Sequence, residues 1–148
     1  MRLIDVYPYR SIAGKNEFLV LKRSSHKRYA GQWRMVGGKI EDGEMAWEAG
    51  LRELKEEIRN KPILYWAIPS LNHFYNHRKN EIELIPAFAA QLDDHAEIVL
   101  NEEHSEYKWI EYKEFNDFIA WPEQRRLLSL TNTILSSQQI IEDWKITF

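Results

Sequence analysis

The densest group of side chains able to do chemistry is Arg52-Glu53-Leu54-Lys55-Glu56-Glu57. On a helix, at about 100° per residue, Glu53, Glu56 and Glu57 share about 100° of arc. Carboxylates this close repel one another at neutral pH. Two explanations fit: an ordinary solvated glutamate face diluted by water and salt, or a site for Mg²⁺ or Mn²⁺, hard cations that prefer oxygen. The helix alone does not separate them. On the same wheel Trp47, Leu51, Leu54 and Ile58 form a stripe predicted to pack on a sheet, and Glu48, Arg52, Lys55 and Arg59 form a solvated side. Ala46, Ala49 and Gly50 lie toward the carboxylate face, and their small size leaves room there for something bulky.

The upstream residues separate the two explanations. Gly38 is followed by five residues and Glu44, then by seven residues and Arg52-Glu53-Leu54-Lys55-Glu56-Glu57. This arrangement resembles the Nudix box, in which Gly, Glu, Arg-Glu, an apolar residue and Glu-Glu stand at these spacings. The resemblance lapses just beyond. Where the family pattern continues with any residue, Gly and an apolar residue, this chain has Ile58, Arg59 and Asn60. That Gly ends the helix through a left-handed cap. Asn tolerates the same conformation, so the stop is expected one residue later, at Asn60.

The resemblance implies an α+β fold, the Nudix α/β/α sandwich with a mixed β-sheet, spanning 1–148 as one domain. It implies Mg²⁺-dependent (or Mn²⁺-dependent) hydrolysis of a nucleoside diphosphate linked to another group. Carried over by position, Glu53, Glu56 and Glu57 would hold the metal and the Gly37 carbonyl would be a further ligand. Arg52 would orient a carboxylate, Glu44 or Glu53, unless Arg52 and Glu44 form only a structural salt bridge. Water would attack phosphorus in line while a carboxylate takes its proton, with Glu53 the first choice as base within the box.

A second base candidate lies in Glu103-His104-Ser105-Glu106-Tyr107-Lys108-Trp109, which is similar to a segment of dihydroneopterin triphosphate pyrophosphatases. Glu103 is the matching acid, unless it, Glu102 and Glu106 are simply loop acids. Val36, where many Nudix proteins have Pro, and Trp121 followed by Gln124 and Arg125 resemble the same subgroup. Arg23 matches a basic position that contacts phosphates in some relatives; Lys22, Lys27, Arg28 and Lys39 are further phosphate candidates. Trp33 and Phe74 are the aromatic candidates for contact with a planar head group, and Asn72, His73, Tyr75 and His77 are candidates for its pocket. The leading expectation is release of pyrophosphate from a nucleoside or pterin triphosphate. Alternatives are a dinucleoside polyphosphate or ADP-sugar hydrolase, and a non-catalytic nucleotide-sensing module.

The elements that must position these residues can be read in outline. Leu3–Tyr9 and Glu17–Lys22 are short, apolar and partly β-branched, which predicts strands joined by a turn at Gly14-Lys15-Asn16. A basic loop, 23–28, precedes a short strand across 33–40 that Gly37-Gly38 would break. Glu44–Arg59 is the helix. Ile63–Tyr75 and Glu81–Leu92 predict a hairpin around 76–80, and Tyr107–Tyr112 a last strand. Trp121-Pro122 opens a second helix with Leu127, Leu128, Leu130, Ile134 and Leu135 facing the core.

The 148 residues suit one domain, and 44% hydrophobic content supplies a core. A net charge of −3 argues against binding a nucleic-acid polymer, which calls for a basic face. The absence of Cys removes disulfides, thiolate metal sites and a Cys nucleophile, and is compatible with a reducing cytoplasm. The five His residues show no zinc-site spacing, and no stretch has the length of a membrane span. The chain therefore reads as a soluble, cytoplasmic enzyme whose partner is a small anionic molecule.

Overall fold

The computed structural model describes residues 1–148. Its centre is a seven-stranded mixed sheet. The strands are β1 (Leu3–Ile12), β2 (Lys15–Arg23), β3 (Trp33–Arg34), β4 (Val36–Lys39), β5 (Leu64–Asn76), β6 (Glu81–Gln91) and β7 (His104–Ile110). Their order is β3-β2-β1-β6-β5, with β4 added to β1 and β7 to β2. The β1–β6 pair is parallel and the other ladders are antiparallel. Three helices complete the chain: α1 (Ala46–Ile58), the single turn α2 (Phe115–Phe118) and α3 (Pro122–Ser136).

Alternation along β1 and β2 explains why both faces of the sheet are covered. Ile4, Val6, Leu19 and Leu21 join Leu54 and Ile58 of α1 in one apolar cluster. Tyr7, Tyr9, Phe18 and Val20 join Leu127, Leu128 and Ile134 of α3 in the other. Strands buried on both faces read as continuous apolar runs, as Phe18 to Leu21 does. The result is the α/β/α sandwich expected from the sequence, and no helix is long and apolar enough to cross a membrane.

Several local readings shift. The first turn sits at Ala13-Gly14, both at positive φ, so Lys15 and Asn16 already belong to β2; two positive-φ residues match the right-handed twist of a tight hairpin. Strand β7 begins at His104, three residues before the expected Tyr107. The C-terminal residues, undefined by periodicity, dock on the sheet edge: Lys145 bridges Trp66, and the Ile146 N–H donates to the Tyr65 carbonyl. Helix α1 is also rolled relative to expectation. Its buried residues are Ala49, Gly50, Glu53, Leu54, Glu57 and Ile58, whereas Trp47 and Leu51 are only half-buried. The small residues make room for the sheet instead of a ligand, since a Cβ on Gly50 would stand 2.1 Å from the Tyr65 hydroxyl oxygen.

The helix stop is not displaced to Asn60. Arg59 itself takes the left-handed conformation, φ 53° and ψ 45°, and its N–H donates to the Leu54 and Lys55 carbonyls. The Asn60 side chain instead donates to the Ile58 and Glu97 carbonyls, tying the helix end to the loop before β7. A left-handed L-residue costs about 1–2 kcal/mol, while Gly costs about 0.5–1 kcal/mol in unfolded-state entropy. Arg59→Gly is therefore expected to stabilise the fold by about 0.5–1 kcal/mol. An increased midpoint of urea unfolding at unchanged slope would register this gain, and an unchanged midpoint would refute it.

Candidate active site

The site forms where the sheet splits. The chain leaves β3, paired to β2, and enters β4, paired to β1, with Met35 between them. Gly37 and Gly38 of β4 face opposite sides of the sheet, because Val36 belongs to the α1 cluster and Met35 to the α3 cluster. Gly38 faces α1, and a Cβ there would lie 2.1 Å from Oε1 of Glu53. The carboxylate of Glu53 thus occupies the space a side chain would need. The Gly37 N–H donates to Oε2 of Glu57 at 3.1 Å. One glycine makes room for a glutamate and the other binds one.

Arg52 holds the opposite side of this acidic group. Its guanidinium pairs bidentately with Glu44 (2.8 and 3.0 Å), donates to Glu53 (2.9 Å) and Glu56 (3.3 Å), and reaches the Lys39 carbonyl (2.8 Å). It therefore orients both carboxylates considered for it, and these contacts keep it firmly charged. Glu56 is largely exposed, whereas Glu53 and Glu57 are buried. Burial first, and then Glu53 and Glu103, push the Glu57 carboxyl well above the usual range. Burial also raises Glu53, against the lowering effect of Arg52.

The loop before β7 completes the cluster. Asn101 N–H donates to the Glu57 carbonyl, and Ser24 takes the Glu102 and Glu103 carbonyls through its hydroxyl and N–H. Glu57, Glu103 and His104 each bring one ligand atom to within 4.8 Å of the others. Sequence reasoning missed His104: it lay in an expected loop, while in the fold it opens a strand and points inward. Its imidazole is almost wholly buried, 3.5 Å from Glu57, and its Nδ1 has no hydrogen-bond partner. Burial, with Arg23 and Arg34 nearby, lowers its pKa to about 4, so it is neutral at pH 7.

The other candidate residues divide. Arg23 reaches the cluster through Glu103, at 3.7 Å. Lys22 pairs with Glu106, and Lys27 with Glu102; Lys39 is exposed on β4. Trp33 packs edge-on against Phe118 beside the α3 cluster. Phe74 and Tyr75 are exposed on the far part of the β5–β6 hairpin, and His73 pairs with Glu123. Asn72 turns inward and donates to Asp5.

The sequence comparisons agree with this geometry. Residues 9–131 match the NUDIX domain. The chain belongs to the Nudix family. It is 28% identical over 130 residues to a bis(5'-nucleosyl)-tetraphosphatase (asymmetrical) of Caenorhabditis elegans, covering 86% of this chain and 91% of that protein. It is 28% identical over 109 residues to the nucleoside triphosphatase NudI of Escherichia fergusonii, covering 69% and 77%. The solved E. coli dihydroneopterin triphosphate pyrophosphohydrolase superposes with a TM-score of 0.71 at 24% identity, over 86% of this chain and 91% of that one. With family membership and Gly38, Glu44, Arg52, Glu53, Glu56 and Glu57 all in place, the chain is a Nudix-type pyrophosphohydrolase acting on acid anhydrides.

Convergent carboxylates and an unpartnered buried Nδ1 fit a divalent cation, and the oxygen-rich donor set suits a hard one. Two outcomes are expected. Gly38→Ala displaces Glu53 and should weaken Mn²⁺ binding at least about tenfold in a calorimetric titration while the chain stays folded; unchanged affinity would remove Glu53 from the site. The second concerns pH. The raised pKa of Glu57 means the folded state retains a proton that the unfolded state loses, so stability falls as pH rises through that raised value. His104 acts oppositely, adding stability between about 4 and 6.5 and contributing a constant amount above. In metal chelator, the melting temperature should fall as pH rises through that raised Glu57 value. Mg²⁺ should abolish the decline, adding about 2.7 kcal/mol at a hundredfold excess over its dissociation constant.

Proposed function

We propose that the chain is a Mg²⁺-dependent (or Mn²⁺-dependent) pyrophosphohydrolase of a nucleoside or pterin triphosphate, releasing pyrophosphate and a monophosphate. The observation that carries this reading is the convergence of Glu53, Glu57 and Glu103 beside Gly37-Gly38, braced by Arg52. NudI, named as a nucleoside triphosphatase, supports the substrate class. The intact carboxylate set weighs against a purely sensing module, which has no need of it.

In this reading Glu53, Glu57 and Glu103, with Glu56 at the rim and the Gly37 carbonyl, hold the cation. When bound, it neutralises charge on the phosphoryl oxygens and makes water a better nucleophile. Glu57 is a fixed anchor, because its Oε2 takes the Gly37 N–H inside the protein. Arg52 aims Glu53 and opposes the rise that burial causes in its pKa. Glu103 is partly exposed and paired only with Arg23, so it can take a proton and pass it to solvent. It is the alternative to Glu53 as base. Arg23 faces the phosphates, with Lys39 as a more distant cation, and Trp33 or Phe74 would contact the head group only at its periphery. This reading places the enzyme in the cytoplasm, acting on a free small molecule.

A second reading is asymmetric cleavage of a dinucleoside tetraphosphate, favoured by the coverage of the C. elegans relative. Phosphate release from nucleoside triphosphates, dihydroneopterin triphosphate and diadenosine tetraphosphate, with and without inorganic pyrophosphatase, separates the two. Signal from a triphosphate only when pyrophosphatase is present is the expected result. Direct release of a nucleoside triphosphate from the tetraphosphate would replace it with the second reading. Glu57→Gln should lower kcat at least about a hundredfold. It should leave metal-free thermal stability equal or higher, since a neutral isostere removes a buried, repelled carboxylate; a normal rate would exclude Glu57 from catalysis.

A further inference from the structure

Arg59 keeps a backbone conformation that no contact of its side chain explains. It is left-handed, φ 53° and ψ 45°, a region that strains an L-residue and leaves Gly unstrained. Its N–H caps α1 through the backbone alone, which Gly would do equally well. The side chain is exposed and makes neither a hydrogen bond nor an ion pair with the rest of the chain. Strain retained at such a residue points to a use for the side chain.

Arg59 lines an open groove of about 980 Å³ at the C-terminal end of α1. Four cations face this groove, Arg52, Lys55, Arg59 and Lys61, against one carboxylate, Glu56. Arg52 already donates to Glu56, at 3.3 Å. Lys55, Arg59 and Lys61 have no carboxylate within ion-pairing distance, in a chain whose 23 acidic residues outnumber its 20 Lys and Arg. Lys55 in the last turn already answers the negative end of the helix dipole, so the dipole does not call for the other two. Arg52, Lys55 and Arg59 follow at spacings of three and four on α1, a row that runs from the acidic cluster into the groove. Beside it the Lys61 ammonium lies 5.6 Å from the centroid of the Phe148 ring, and that half-exposed ring and Leu51 form an apolar wall.

We propose that Lys55, Arg59 and Lys61 form a second phosphate site, beside the acidic cluster, that takes a chain of two or more phosphates. A guanidinium matches phosphate oxygens with parallel N–H donors, and the two ammonium groups add point charges. One phosphate monoester carries at most about two negative charges, so three unpaired cations suit a longer chain. Such an anion also removes the repulsion among the cations. Two sources supply this chemistry: the far end of a polyphosphate substrate held at the carboxylates, or a free polyphosphate. The groove needs no divalent cation, whereas the acidic cluster repels an anion until a cation is bound. Binding there is independent of the hydrolase reading.

The test is calorimetric titration of inorganic tripolyphosphate into the metal-free full chain at low salt. One equivalent is expected to bind. Arg59→Gly and Lys61→Gln should each weaken binding at least about tenfold. Lys79→Gln, which removes an equal charge from the exposed turn between β5 and β6, should leave it unchanged. Since Arg59→Gly is expected to stabilise the fold, weaker binding by a more stable protein cannot come from unfolding. No binding to the wild type, undiminished binding in both groove variants, or the same loss in Lys79→Gln would overturn the site. Turnover with Mg²⁺ then separates the sources. A fall of at least about tenfold in kcat/KM for diadenosine tetraphosphate relative to dATP, on Arg59→Gly, assigns the groove to the far end of the substrate. An unchanged ratio assigns it to a free polyphosphate. Tripolyphosphate binding with no turnover of either nucleotide would refute the hydrolase reading and leave the phosphate site standing.

Discussion

Everything at this site depends on holding like charges together at the split in the sheet. Glu53, Glu57 and Glu103 repel one another, and burial makes the repulsion worse by removing water. Arg52 offsets it from one side with bonds to Glu44, Glu53 and Glu56, and the Gly37 N–H offsets it from the other. Neither neutralises the cluster: Glu57 remains far from its ordinary protonation range. A cluster left in that condition fits a cation, because the cost of bringing the carboxylates together is already met by the fold.

That cost is distributed through the architecture. Rolling α1 to bury Glu53 and Glu57 exposes part of Trp47 and Leu51, and the helix sits close to the sheet only because Gly50 accommodates Tyr65. The C-terminal end of α1 is held by Arg59 in a left-handed conformation and by the Asn60 amide, which secures the loop that delivers Glu103 and His104. The same helix therefore anchors the core through Leu54 and Ile58 and the chemistry through Glu53 and Glu57.

Legibility in the sequence followed the range of the interaction. The box was readable because its members lie on one turn-loop-helix segment with fixed spacing, and short, apolar, partly β-branched runs marked β1 and β2 as strands. The roll of α1 was not readable, since a hydrophobic wheel ranks Trp47 and Leu51 as core while the sheet selects Ala49 and Gly50. Arg59 defied the expected cap because tertiary bonds from Asn60 outweigh its backbone preference. The burial of His104 and of Asp5 has no local signature. Each becomes distinctive only through partners far along the chain: Glu57 for His104, and Asn72 and Gln124 for Asp5.

The two faces of the split sheet carry different kinds of polarity. On the α1 side the groups are acidic and multiply coupled, an oxygen-rich set that fits a hard cation. On the α3 side the Asp5 carboxylate is held by directional hydrogen bonds from Asn72 and Tyr7. Gly37 lies between them on β4, and the Arg34 guanidinium acts on both Asp5 and Glu57. The two sets are therefore coupled through Arg34, and a change of charge on one face is felt on the other.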